Sequence, residues 1–233
     1  MAQKKILIIS VSAGAGHVRV AEALKKTAQA DISLGDIEVE HIDMMDYVST
    51  PLRKAIVETY DVLVRTIPSL WGYIYEKTNN DNRINTVSKI IKKTNQINCR
   101  KFYTFLNTFQ PDYIICTHSF PAQVIDQSLQ LHHREIPISL VITDFGIHSY
   151  WLLHQRATYF VATEKMKWEM IERDISEKHV ITSGIPVAPV FSLTKSSHEL
   201  RIQYKISEDE RVILVLSGGQ GFMKSDDVLE LLL

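Results

Sequence analysis

Between Lys4 and Leu24 the chain reads KKILIISVSAGAGHVRVAEAL, an apolar run that ends in glycines and passes directly into a helical pattern. Ile6, Leu7, Ile8, Ile9 and Val11 scarcely alternate with polar residues, so a strand built from them must be covered on both faces, as strands of parallel sheets are. Gly14 and Gly16 let the backbone turn sharply, and the amides opening the next helix form a natural anion seat. His17 stands at that helix start, at the carboxyl end of the first strand, where open α/β sheets bind ligands. A titratable base is thereby set beside a site for a phosphate or hydroxyl. That arrangement points to group transfer more than to simple binding.

The rest of the chain continues the same alternation. Strands are predicted over Ile37–Ile42, Asp112–Thr117 and Ile138–Thr143, with short apolar runs at Tyr159–Ala162 and Val180–Thr182. Helical patterns cover Val18–Ala30, Leu52–Val64, Arg83–Phe109 and Lys165–Arg173. Strands alternating with helices call for an α/β fold with a doubly wound parallel sheet. With 233 residues and 45% hydrophobic content, the chain can bury one large domain or one and a fraction. Residues 1–190 read as the first domain and 191–210 as a polar linker that follows the stiff GIPVAPVF. Residues 211–233 then repeat the opening theme, RVILVLSGGQGF, as the first βα unit of a second Rossmann-like domain, with a helix candidate at Ser225–Leu233.

Charge and cysteines exclude several classes. A net charge of -1 speaks against a nucleic-acid binder acting through global charge. The two cysteines, Cys99 and Cys116, have no metal-ligand spacing, so reduced thiols, a cytoplasmic protein and no metal centre are expected. The apolar run from Ile6 is too short for a signal peptide, and no stretch approaches the roughly 20 apolar residues of a spanning helix. Contact with a membrane would therefore be peripheral.

AGAGH lacks the Lys-Ser/Thr of a phosphate-binding P-loop and has Arg19 at the third-glycine position of the dinucleotide fingerprint. A structural turn and a ligand loop both fit its form, and Asp43 keeps a nicotinamide reading open. His17 beside the glycines favours the ligand loop. VITDFGIHSYW sets Asp144 and His148 just past the fourth strand, on the rim that His17 occupies. A carboxylate near an imidazole orients it and raises its basicity, although Asp144 would equally serve as a helix or turn cap. His118 follows the third strand in CTHSFPA, either reaching the same cleft or closing the strand.

Two regions bear on membranes. YDVLVRTIPSLWGYIY, including Tyr60, Leu70, Trp71 and Tyr73, sets aromatic tips between basic flanks, as a lipid headgroup boundary favours. Arg83–Gln110 carries six basic residues, among them Lys89, Lys92 and Lys93, and no acidic one; lifting these from -1 leaves -7 for the rest. At helical spacing, Ile84, Val87, Ile91, Phe102, Phe105 and Phe109 share one face, opposite the lysines. Such a helix either packs into the core or meets anionic lipid, which attracts it by about 1 kcal/mol per basic residue. The two regions together favour an anionic membrane surface.

With these motifs in hand, the chain resembles the monogalactosyldiacylglycerol synthase and processive diacylglycerol glucosyltransferase family, relatives of the transferases that add N-acetylglucosamine to the peptidoglycan lipid carrier. GAGHVRVAEAL, YDVLVRTIPSLWGYIY, QPDYIICTHSFPA, VITDFGIHSYW, VATEKMK, GIPVAPVF and VILVLSGGQGF occur in the family's order. The resemblance implies the N-terminal half of a two-domain GT-B glycosyltransferase, inverting, with a UDP-sugar as co-substrate and no other cofactor. It implies a lipid acceptor of the diacylglycerol type and a place on the inner face of the membrane. It makes His17 the base, with Asp144 and His148 orienting base or acceptor and Gly14, Gly16 and His118 lining the acceptor loop. Gly218, Gly219, Gln220 and Gly221 would approach the donor's phosphates. The chain departs from the family pattern at Ala188, where an Arg is usual, and at Leu153, where a His is usual. An alternative is an acceptor and membrane-binding module served by a separate donor-domain subunit, or an inactive remnant.

Overall fold

The computed structural model describes residues 3–54, 56–57, 97–132, 135–153 and 157–216. Tyr60, Leu70, Trp71, Tyr73, Lys89, Lys92, Lys93, Gly218, Gly219, Gln220, Gly221 and the Ser225–Leu233 helix candidate lie outside them. Strands β1 (Lys4–Ser10), β2 (Ile37–Asp43), β3 (Tyr113–Cys116), β4 (Ile138–Val141), β5 (Ala157–Val161) and β6 (Val180–Thr182) form one sheet. Its order is β2-β1-β3-β4-β5-β6, and every pairing is parallel. Helices α1 (Ala15–Ala30), α2 (Arg100–Phe109), α3 (Ser119–His132), α4 (Glu164–Ile171) and α5 (Ser197–Tyr204) surround it. Residues 50–54 and 56–57 are also helical, and the rest of the helix predicted over Leu52–Val64 lies outside the described residues. The α/β Rossmann-like fold expected from the alternation is present.

The apolar run of β1 is buried on both faces. Leu7 and Ile9 join a core cluster with Phe102 and Leu106 of α2, while Ile8, at 1% exposure, lies outside that cluster. Successive side chains of a strand point to opposite faces, so Ile8 faces α1, whose buried residues are Val20, Ala21 and Ala23. Right-handed crossovers put α1, which leads outward to β2, on one face, and α3 and α4, which lead the other way, on the opposite face. The chain therefore reverses direction beside β1. A topological switch point, the crevice between the carboxyl ends of β1 and β3, follows from this order.

Two expectations are refined. The helix predicted over Arg83–Phe109 is interrupted, within its described part, at Cys99, and α2 starts anew at Arg100. The backbone carbonyl of Asn98 accepts the Ser49 amide at 2.8 Å, which ties this turn to the loop after β2. Along α2, Phe102 is fully buried, and Phe105 and Phe109 pack against the core, while Arg100 and Lys101 are exposed. For this stretch the core-packed reading holds. The polar linker, in turn, contains α5, whose Ser196 side chain caps it by accepting the Glu199 amide at 3.4 Å. Polar composition hid a short, conventionally capped helix.

The apolar run Val212–Leu216 pairs with no strand among the described residues and is exposed along its length. No described helix is long and apolar enough to cross a membrane.

If α2 is held by the core, Phe102→Ala removes a fully buried ring and leaves a cavity. Stability should fall by about 3–5 kcal/mol, read from urea unfolding monitored by circular dichroism. A change under 1 kcal/mol would show that this face does not carry the core.

Candidate functional site

The site is built where β1, β3 and β4 end. After β1 the backbone passes through Gly14 at φ 111° and ψ 148°, a conformation essentially restricted to glycine, and then enters α1. Gly14 has no side chain to accept from the first amides of α1, so that positive helix end lacks a side-chain cap. A Cβ added to Gly16 would meet nothing within 4 Å, so the helix start borders open space. His17 lies one turn in and is partly exposed.

The His17 ring is tied to the neighbouring strands. Its Nδ1 is 2.7 Å from the backbone carbonyl oxygen of Thr117, just past β3, and 2.8 Å from Oγ1 of Thr143, just past β4. The Thr117 hydroxyl in turn donates to the His17 carbonyl at 2.9 Å. A carbonyl oxygen only accepts, so Nδ1 carries the hydrogen; an unprotonated nitrogen there would set two lone pairs face to face. In the neutral ring, the free lone pair then belongs to Nε2.

Electrostatics keep that lone pair available. Burial draws the His17 pKa below its ordinary value, and the Thr117 hydrogen bond and the Asp144 charge only partly offset this. The ring is therefore neutral at pH 7. Asp144 is exposed and acts on His17 through its charge.

His118 packs edge-on against His17, with ring centroids 4.6 Å apart, and buried Trp151 lies 6.1 Å from His118 and 6.5 Å from His17. His118 Nδ1 accepts the Phe120 amide at 3.0 Å, so its proton is on Nε2. Burial, assisted by the neighbouring His17, pushes its pKa down to about 3. His118 thus holds the start of α3 and packs against the His17 ring.

His148 is 3% exposed, and its Nδ1 accepts the Tyr150 amide at 3.1 Å, capping the short turn Ser149–Trp151. It thereby fixes the segment that brings Trp151 to the two histidines. The Asp43 Oδ1 accepts the Ser12 and Met45 amides at 3.3 and 2.9 Å, so this carboxylate shapes the loops around β1. Ser10, fully buried, pairs with His41 Nε2 at 2.9 Å on the same side.

Sequence reasoning missed Thr117, Thr143 and Trp151. The first two were legible in principle, because each is a small polar residue following a buried apolar strand at the ligand-binding rim.

The model of the monogalactosyldiacylglycerol (MGDG) synthase family matches residues 17–187. The chain belongs to that family. It is similar to the processive diacylglycerol beta-glucosyltransferase of Bacillus cytotoxicus, with 28% identity over 222 residues, covering 94% of this chain and 54% of that protein. The enzyme of the same description from Bacillus subtilis is 26% identical over 228 residues, covering 95% of this chain and 56% of its own length. The chain spans about half the length of the curated relatives it matches. The matched segment begins at His17 itself and includes Thr117, His118, Thr143, Asp144 and Trp151.

Three histidines of this region, His17, His41 and His118, hold pKa values below the ordinary 6.5 in the fold. The unfolded chain binds protons at pH 6.5 that the folded chain refuses, so this share of stability is present above pH 6.5 and is lost as pH falls. His118 extends the window down to about pH 3. The urea midpoint should accordingly decline between pH 6.5 and 5, above the range where carboxylates titrate. His118→Asn, which keeps an acceptor for the Phe120 amide, should flatten that decline; an unchanged slope would mean that His118 ionises freely.

Proposed function

We propose that this chain forms the acceptor side of an inverting glycosyltransferase, which moves a hexose from a UDP-sugar to a diacylglycerol-type lipid at the inner face of the membrane. The observation that carries this reading is the His17 ring, held by Nδ1 at the switch point and neutral at pH 7. Family membership and the printed activity of the Bacillus relatives support the substrate class.

The chemistry follows from the ring. Nε2 takes the proton of the acceptor hydroxyl while that oxygen attacks the anomeric carbon from the face opposite the leaving group. The bond from that carbon to the diphosphate oxygen breaks, and UDP departs with the electron pair. Asp144 favours the imidazolium by charge. His148 holds the Tyr150–Trp151 turn beside the acceptor, while Gly14, Gly16 and His118 line the acceptor's approach. Gly218, Gly219, Gln220 and Gly221 would meet the donor's diphosphate through backbone amides, as preorganised dipoles do. Tyr60, Leu70, Trp71, Tyr73, Lys89, Lys92 and Lys93 would rest on an anionic membrane surface.

Among the described residues the exposed Val212–Leu216 run pairs with no strand, which favours a second reading alongside the first. Bare apolar strands seek a ladder. The donor side would complete a sheet around this run, either in the same polypeptide or in a separate donor-domain subunit.

Sugar transfer to diacylglycerol liposomes, assayed with a panel of nucleotide sugars, tests the main reading. His17→Ala should lower turnover by about 10²–10⁴-fold, the usual contribution of a general base, while co-sedimentation with the liposomes stays unchanged. Wild-type turnover in that variant would remove His17 from the base role. The rate should rise with pH along an acid limb centred below 6.5 and level off by neutrality, because only the neutral ring accepts a proton.

A further inference from the structure

His17 is reached at one nitrogen by two acceptors that come from different strands. The Thr117 carbonyl is part of the backbone following β3, and the Thr143 hydroxyl follows β4. We propose that Thr143 is a positioning residue: the Thr117 carbonyl sets the Nδ1-protonated form of His17, and the Thr143 hydroxyl oxygen holds that ring in one plane and supports its cation. This rests on the reading of His17 as the base.

One hydrogen bond, to Thr117, leaves the ring free to swing about that contact. A second acceptor 2.8 Å away on the adjoining strand fixes the ring plane between two rigid supports. Because Nδ1 already carries hydrogen, the Thr143 hydroxyl proton cannot point at the ring, and its oxygen lone pair faces Nδ1–H. The β-branched side chain has few χ1 states, so this oxygen costs little entropy to hold in place. When Nε2 accepts a proton, the positive charge spreads to Nδ1, and a hydrogen bond to a charged donor is stronger than one to a neutral donor. Thr143 thus gains strength as the reaction proceeds.

The ionisable groups facing the ring are few among the described residues. Asp144, next to Thr143, supplies negative charge, and His118, beside the ring after β3, stays neutral. The uncapped start of α1 adds positive potential. Removing the Thr143 oxygen takes away support for the imidazolium, so the acid limb moves to lower pH.

Two measurements test the proposal. In ¹⁵N spectra of the imidazoles at pH 7.5, the protein should show His17 protonated at Nδ1 and bare at Nε2. Thr143→Val should keep that tautomer, which Thr117 sets, but move the His17 titration in these spectra to lower pH, and Thr143→Ser should restore it. In the liposome assay, Thr143→Val should lower kcat about ten- to a hundredfold, with KM for the lipid unchanged, the acid limb displaced to lower pH, and recovery in Thr143→Ser. A valine variant whose His17 titrates as in the unchanged protein, or one with wild-type kcat and pH profile, overturns the proposal. A purely structural role would move unfolding midpoints without the serine rescue of the His17 titration and the pH profile. If His17→Ala transfers sugar normally, the base reading fails, and the His17 titration in the nitrogen spectra alone still decides whether Thr143 supports the ring.

Discussion

The hydrogen bond from His17 Nδ1 to the Thr117 carbonyl joins the two strands between which the chain reverses direction. A doubly wound sheet has one place where consecutive crossovers leave on opposite faces, and there the loops part to open a crevice. In this protein the helix start that follows β1 reaches across that crevice to the end of β3, and the ring is fixed on both sides. The bond is therefore a consequence of topology as much as of side-chain chemistry. It also selects the tautomer, so the order of strands determines which nitrogen is basic.

The surroundings maintain this choice at the cost of charge. His17, His118 and Trp151 form a cluster of rings in which neither imidazole is favoured as a cation. His118 and His148 repeat a common local device: each Nδ1 accepts a backbone amide two residues ahead and so holds a turn. His17 is the exception, because its Nδ1 donates. Three histidines at one rim thus divide into two that shape backbone and one whose remaining nitrogen is unencumbered by such a turn.

Much of this was legible in the residues. The unbroken apolar run of β1 required burial on both faces, and that requirement led to parallel pairing and to the position of His17. The glycines were equally readable, since Gly14 adopts a backbone conformation that other residues resist. What escaped notice depended on contacts distant in sequence. Thr117 and Thr143 lie 100 and 126 residues from His17, and no local pattern records such pairings. The break at Cys99 escaped for the same reason, because the Asn98 carbonyl is engaged by Ser49, 49 residues away. Within the polar stretch that holds α5, composition outweighed the weaker signal of a serine cap.

Of the two stretches patterned for membrane contact, Arg83–Gln110 is described over its last part, α2. The phenylalanines of α2 face the core, so their regular spacing recorded burial, and the excess of basic residues records only a solvated side for Arg100 and Lys101. Periodicity reports that one face of a helix is sheltered, and it does not report by what. An amphipathic pattern is satisfied equally by protein and by lipid, and only packing partners distinguish the two. Phe102 has such a partner in Tyr47. The case for lipid contact therefore rests on the aromatic residues of the Tyr60–Tyr75 stretch and on Lys89, Lys92 and Lys93. It no longer draws on the helix that follows them.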